Sequence, residues 1–278
     1  MKLSIALLLS LALVTGKDKD IFSPKSIENR MVLVAANLYA NKYETTNREY
    51  REFLAWVETN DPDLTETVKV HEENWTPFVK GNYNKYYSQH KAFDQYPAVN
   101  ISYEAATEFC TWLTEQYHQN KKRKYEQVKF RLPTEAEWVE MAVAGKAYDP
   151  SYPWGGPYLK NKKGCYLANF YTVGNHKLKI DINNRSEIEV VPDQNIKFSG
   201  GNDEYLFTAP VSSFVATGAG LHNLSGNVAE MLAEKGRTKG GSWGSSGYYV
   251  RIDAEDEFEG FETSPYVGFR YVMEVIKE

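Results

Sequence analysis

The run Gly220-Leu221-His222-Asn223-Leu224-Ser225-Gly226-Asn227-Val228-Ala229-Glu230 is followed, after a short charged turn, by Gly240-Gly241-Ser242-Trp243-Gly244-Ser245-Ser246-Gly247-Tyr248-Tyr249-Val250-Arg251. It mixes glycines, acceptor side chains and large rings. Glycine tolerates positive φ and close backbone approach, so glycines beside Trp243, Tyr248 and Tyr249 imply backbone wrapped tightly under aromatic cover. Asn223, Asn227 and Glu230 add oxygens of the kind a hard cation takes.

Upstream of this run, three helices can be placed with mechanisms. Thr46-Asn47-Arg48-Glu49 reads as a capping box, and Tyr50, Phe53, Leu54 and Val57 follow at helical spacing up to a stop at Asp61-Pro62. Ser102 caps a second helix running to about Tyr117, with the apolar stripe Tyr103, Ala106, Cys110, Leu113 and Tyr117. Thr134-Glu135-Ala136-Glu137, just after Pro133, is a second capping box; Trp138, Met141 and Ala142 form the apolar face of its helix and Gly145 ends it. Between the first two helices, residues 62–96 carry Trp75, Phe78, Tyr83, Tyr86 and Tyr87 among polar residues. We read this as an irregular segment packed onto the domain rather than a ligand-stacking surface. The basic cluster Lys121-Lys122-Arg123-Lys124 reads as a solvated helix-to-strand turn.

Helical periodicity stops after the third helix. From Pro150 onward the strand candidates are residues 188–191, 209–215 and 269–275, amid Gly, Asn and Tyr, with no internal repeat and no low-complexity linker. A helix-rich first half and a loop-rich, short-stranded second half predict a single α+β domain.

Composition agrees with a globular chain. Its 278 residues are 42% hydrophobic and 14% aromatic, enough to bury a sizeable core. A formal net charge of -5 excludes nucleic acid as the expected partner and gives no charge-driven membrane binding. Met1-Lys2, the apolar run 3–14 and the small residues at Val14-Thr15-Gly16 read as a signal peptide over residues 1–16, cleaved before Lys17, against the alternative of an uncleaved anchor. No lipobox cysteine follows the site, so we expect a mature domain over 17–278 that is soluble, exported to the periplasm or beyond the cell, and not inserted in a membrane. The two cysteines, Cys110 and Cys165, form either one bridge or two structural thiols, and in neither case a stapled scaffold.

Eight motifs, two of them within the run quoted above, occur in a telling order: Tyr43-Glu44-Thr45-Thr46-Asn47, Tyr96-Pro97-Ala98-Val99-Asn100-Ile101-Ser102, Arg131-Leu132-Pro133-Thr134-Glu135-Ala136-Glu137-Trp138, Tyr152-Pro153-Trp154-Gly155, Thr208-Ala209-Pro210-Val211, Leu224-Ser225-Gly226-Asn227-Val228-Ala229-Glu230, Gly240-Gly241-Ser242-Trp243 and Gly268-Phe269-Arg270. In this order they resemble the formylglycine-generating enzyme (sulfatase-modifying factor) family across nearly the whole mature chain. The resemblance implies a C-type-lectin-like domain with little regular secondary structure. The family's enzymes use a cysteine pair shortly after the Gly-Gly-Ser-aromatic motif to bind copper and oxidise a substrate cysteine. Here Ser245 falls at the first of those positions, and Val250 or Tyr249 at the second. None of these replaces a soft thiolate for Cu(I), so the resemblance implies the fold without the chemistry.

The family's calcium positions resemble two sets in this chain. One is Asn169, the carbonyl of Phe170, Asp203 and the carbonyl of Tyr205; the other is Asn223, the carbonyls of Gly226 and Val228, and Glu230. Calcium is therefore the expected cofactor, bound by loop oxygens as a hard cation requires. The alternative is that these residues cap turns. Ser242, Trp243, Ser245, Tyr248, Tyr249 and Arg251 are the candidate binding cleft, and no residue is assigned as catalytic. The match of Gly240-Gly241-Ser242-Trp243-Gly244 to G-x-S-x-G lacks a strand-turn-helix context, and the five histidines show no metal-binding pair at helical spacing. The acidic strip Asp253, Glu255, Asp256, Glu257, Glu259 and Glu262, with Phe258 and Phe261 between, reads as a solvated loop or a surface for a basic partner. The sequence thus predicts a calcium-stabilised, exported, non-catalytic binding or assembly module with a protein or peptide partner. The competing class is a metal-dependent oxidoreductase with a non-standard site around the cleft residues.

Overall fold

The computed structural model describes residues 20–79, 81–143, 151–171, 177–180, 188–191, 205, 207–214, 216–254 and 263–278. Residues 1–16, expected above to be a signal peptide, Gly145, Val215, Asp203 and residues 255–262 of the acidic strip lie outside them. Helix α1 (Pro24–Glu28) leads into a hairpin of β1 (Met31–Ala35) and β2 (Leu38–Asn41). Helix α2 (Asn47–Asn60) opens on a complete capping box: the Thr46 N–H donates to Glu49 Oε2 at 2.9 Å and the Glu49 N–H donates to Thr46 Oγ1 at 3.2 Å. Its Tyr50, Phe53 and Val57, three or four residues apart, turn one face into the core.

Residues 62–96 are more ordered than the expected irregular segment. They form α3 (Thr65–Val68), α4 (Tyr83–Gln89) and 3-10 turns at Pro62–Leu64, Glu72–Trp75 and Lys91–Phe93. The expected packing holds, because Trp75 and Tyr87 are fully buried against each other with ring centroids 4.9 Å apart. Helix α5 (Tyr103–Gln119) is capped by Ser102, whose Oγ accepts from the Ala105 N–H. After it, Arg123 Nη1 donates to the carbonyls of His118 and Asn120, so one residue of the basic cluster caps the helix C-terminus. Strand β3 (Gln127–Arg131) and helix α6 (Glu135–Val143) follow, the latter burying Trp138, Met141 and Ala142. No described residue after Val143 is helical.

Two strands, β4 (Lys177–Ile180) and β5 (Ile188–Val191), pair antiparallel, the second where the sequence predicts it. Strands β6 (Ala229–Met231), β7 (Thr238–Lys239) and β8 (Val267–Gly268) form a small sheet with Glu230 opposite both Lys239 and Gly268. The last strand, β9 (Val272–Lys277), starts three residues later than expected and completes a four-stranded antiparallel sheet in the order β1-β2-β9-β3. That sheet joins the first strands of the chain to the last, and α5 packs on it, so the main core lies between them, around Phe109, Leu113, Phe130, Phe269 and Tyr271.

The strand expected over 209–215 is absent from its described part, which is a turn. The reason is a side chain that replaces a ladder partner: the Ala209 N–H donates to Asn227 Oδ1 at 2.7 Å, and Asn227 Nδ2 donates back to the Ala209 carbonyl at 3.2 Å. Both cysteines are free, Cys110 buried and Cys165 half-buried, and burial pushes the Cys110 thiol well above its ordinary range. No helix among the described residues is long and apolar enough to cross a membrane.

Candidate functional site

The loop from Asn223 to Glu230 is buried along its whole length, and three of its residues have left-handed backbone: Asn223 (φ 55°), Gly226 (φ 75°) and Asn227 (φ 65°). Asparagine is the non-glycine residue that tolerates this region best, which fits the Asn-x-x-Gly-Asn spacing. At Gly226 a side chain is impossible, since an added Cβ would sit 2.2 Å from the Asn169 carbonyl oxygen. That closeness follows from the Asn227 N–H donating to the same oxygen at 2.7 Å.

A second segment meets this loop from the other end of the chain. Residues 43–46, between β2 and α2, are pinned by the Thr45 N–H donating to the Phe269 carbonyl and the Ala98 N–H donating to the Thr45 carbonyl, both at 2.8 Å. This sets Glu44 inside the loop. Its Oε1 accepts from Asn227 Nδ2 at 2.8 Å and its Oε2 from Asn223 Nδ2 at 2.9 Å. Burial pushes the Glu44 carboxyl up to about 8, with the nearby Glu230 adding to the rise and Arg270 and the two amides opposing it.

Glu230 is buried beside Arg270. Arg270 Nη2 donates to Glu230 Oε1 at 2.6 Å, Arg270 Nε lies 3.1 Å from both carboxylate oxygens, and Trp138 Nε1 donates to Oε2 at 2.9 Å. Two further N–H groups of the guanidinium donate to the carbonyls of Asn41 and His222. Of the two buried carboxyls, only Glu230 is bonded to this guanidinium, while Glu44 is held by the two asparagine amides. Beside them Asn223 Oδ1 is buried with no hydrogen-bond partner, although an amide oxygen left unpaired in the interior costs about 1–3 kcal/mol.

These observations test the two expected calcium sets. In the second set, Asn223 offers the orphaned oxygen and Glu230 a carboxylate, so these residues fit a hard cation, while Glu44, whose proton burial holds near neutrality, adds no charge of its own. Glu230 fits less simply, because both its oxygens already accept from Arg270 and Trp138. A carboxylate has about four lone-pair directions, so a cation there would share Glu230 with Arg270. In the first set, Asn169 joins the same network, with Nδ2 donating to Asn227 Oδ1 at 3.2 Å and to the Phe207 carbonyl at 2.8 Å. The Phe170 ring packs in a small core beside Tyr166, and the Tyr205 hydroxyl accepts from Ser213 Oγ at 3.4 Å. Asp203, the only carboxylate of this set, is outside the described residues. Among the described residues no three His, Cys, Asp or Glu side chains gather as a metal site.

The candidate cleft divides into three places. Ser242 and Ser245 are fully buried and tied together: the Ser242 N–H donates to Ser245 Oγ at 2.8 Å, the hydroxyls lie 3.2 Å apart, and the Gly244 N–H donates to Ser242 Oγ. They close a turn, with the two hydroxyls directed at each other and at backbone N–H groups. Trp243 joins an aromatic cluster, 4.5 Å from Tyr266 and stacked near-parallel to Trp75 at 6.2 Å. Tyr248 is exposed and meets Tyr249 edge-on, with the Arg251 guanidinium 5.5 Å from the Tyr248 ring and paired to Asp253. Val250, one of the two residues at the second copper position, is buried in the small core with Tyr152 and Phe170. A separate cavity of about 330 Å³ between α2, α3 and α4 is bordered by none of the candidate residues.

The site residues that sequence reasoning missed are Glu44, Trp138 and Arg270 as partners of the loop. All three lie in the quoted motifs, but 179 residues separate Glu44 from Asn223, and neither spacing nor periodicity joins them.

Comparison with known proteins follows this geometry. The family profile described as "Sulfatase-modifying factor enzyme 1-like domain" matches residues 23–275. The chain is 30% identical over 141 residues to a formylglycine-generating enzyme of Thermomonospora curvata, covering 50% of this chain and 33% of that one. It is 25% identical over 218 residues to the formylglycine-generating enzyme of Mus musculus, covering 70% and 48% respectively. The chain therefore spans a third to a half of these relatives. Among solved structures, PvdO from Pseudomonas aeruginosa matches with a TM-score of 0.52 at 19% identity over 85% of this chain and 80% of that one. CarF matches with a TM-score of 0.51 at 20% identity, covering 86% of each chain. Both likenesses concern the fold alone.

Proposed function

This chain belongs to the family of sulfatase-modifying factor enzyme 1-like domains, and from that premise we propose that it is a calcium-stabilised binding or assembly module without copper-thiolate oxidation chemistry. The observation that carries the reading is the segment after Gly240-Gly241. It holds no cysteine, its Ser242 and Ser245 hydroxyls are spent on each other, and Val250 is core. Of the chain's two thiols, Cys110 faces the core from α5 and Cys165 sits in the turn at 160–166. A copper site needs two thiolates that can approach one ion, and a buried thiol whose proton is held more tightly is a poor start.

Calcium would supply fixed positive charge and would tether loops. Asn223 through its unpartnered Oδ1, the carbonyls of Gly226 and Val228, and Glu230 would hold one ion; Asn169, Asp203 and the carbonyls of Phe170 and Tyr205 would hold another. The unpartnered Asn223 Oδ1, in the same buried loop as the Glu230 carboxylate, supports the first of these. Action outside the cytoplasm is part of the proposal and rests on the apolar run 3–14.

The test is an assay of the purified protein with added copper on a cysteine-containing sulfatase peptide, followed by mass spectrometry. The expected outcome is an unchanged cysteine. Conversion to formylglycine overturns the reading and returns the chain to the oxidoreductase class.

A further inference from the structure

We propose that the surface formed by the turn at residues 158–166 against residues 247–251 docks an acidic segment of a protein partner. The inference rests on the reading of this domain as a binding module and names the chemistry of what it binds.

The two segments are fixed to each other. Leu159 fills the space over Gly247, where an added Cβ would lie 2.5 Å from Leu159 Cδ1. The Tyr152 hydroxyl donates to the Gly247 carbonyl at 2.9 Å, the Ile252 N–H donates to the Ser151 carbonyl at 2.9 Å, and the Tyr171 N–H donates to the Ser245 carbonyl at 2.8 Å. The turn itself is closed from inside. Asn161 Oδ1 accepts from the N–H groups of Lys163 and Cys165, and the Leu167 N–H donates to the Leu159 carbonyl. A partner therefore meets a preorganised surface and orders little backbone on binding.

That surface carries rings and positive charge. Tyr158 is 74% exposed and Tyr248 57% exposed, each the chain neighbour of one residue of the contact between Leu159 and Gly247. Lys160, Lys162 and Lys163 are exposed on the same turn as Tyr158, with Lys160 Nζ 4.2 Å from the Tyr166 ring centroid. Residues 151–171 contain these three lysines and no acidic residue, and Arg251 is balanced by its pair with Asp253. The turn at 158–166 thus carries three positive charges on a chain whose net charge is -5. Exposed tyrosines on a rigid turn give large contact area at low entropy cost, and lysines opposite carboxylates set partner choice and association rate. A nucleic acid fits poorly, because the rest of this acidic chain would repel a phosphate backbone extending beyond three lysines.

The test is fluorescence anisotropy with a labelled peptide alternating glutamate and alanine, its glutamine counterpart, and a labelled single-stranded oligonucleotide. The glutamate peptide should bind in a salt-dependent way and the other two should not. The combined variant Lys160→Glu, Lys162→Glu and Lys163→Glu should weaken binding about tenfold or more, as loss of close charge pairs of about 1.4 kcal/mol in total requires, with an unchanged melting temperature. Tyr248→Ala should weaken it as well. The pair Lys121→Glu and Lys122→Glu, on the turn after α5, should leave it unchanged. Equal binding of the two peptides, stronger binding of the oligonucleotide, or equal loss in the Lys121 and Lys122 variant overturns the proposal. Failure here is separate from turnover of a cysteine peptide, which would instead overturn the module reading.

Discussion

Asn223 and Gly226 show how single residues set this loop. The amide of Asn223 gives its Nδ2 to Glu44 and leaves its Oδ1 without a partner, while Gly226 lets the Asn169 carbonyl approach to where a Cβ would be. Gly226→Ala should therefore destabilise the fold by about 3 kcal/mol, combining overpacking against backbone with a left-handed conformation that alanine disfavours. Denaturant unfolding measures this, and a loss within error of zero would mean the loop is not packed as described. The glycine was legible in the sequence as a site of close approach, and so was the crowding of rings around it. The serines were not. A G-x-S-x-G string and an open loop of serines look alike until the hydrogen bonds from Ser242 to Ser245 show where the hydroxyls point. Glu44 was quoted in a motif yet had no visible role, because its role depends on two asparagines late in the chain.

Helices were the most legible elements, because their ends carry local chemistry. The capping boxes at Thr46 and Thr134 both form, the second with the Thr134 N–H donating to Glu137 Oε2 at 2.8 Å and the Glu137 N–H donating to Thr134 Oγ1 at 3.3 Å. Strands β1, β2 and β3 escaped sequence reading, since runs of four or five residues carry little period and are specified by partners far away. The cap at Glu137 yields a pH prediction. Its hydrogen bonds to Arg131 chiefly, with the Thr134 N–H assisting against burial, hold this carboxyl below its ordinary value of 4.5. A carboxyl depressed in the folded state stabilises fully above the unfolded value and loses that stabilisation as pH falls through the folded one. Glu137→Gln should thus cost about 1 kcal/mol near neutrality and flatten the decline in melting temperature below about pH 4.5. Parallel acid limbs for the two proteins would remove Glu137 from that account.

At the scale of the molecule, the chain closes on itself. Strand β9 lies between β2 and β3, and Arg270, two residues before it, reaches Glu230 in the small sheet and the carbonyl of Asn41 in the large one. One buried guanidinium thus ties the two sheets, and Glu44 and Asn223 crowd the same centre. A domain whose second half is mainly loop must satisfy buried polar groups by side chains and ions more than by ladders. The motif order carried this architecture in the sequence, while the charge balance of its centre became visible only when Glu44, Glu230 and Arg270 came together. The most direct measurement is elemental analysis of the full chain purified without chelator. Calcium in stoichiometric amount with copper and iron at trace level is the predicted result; stoichiometric copper or iron, or no bound calcium, would contradict the account.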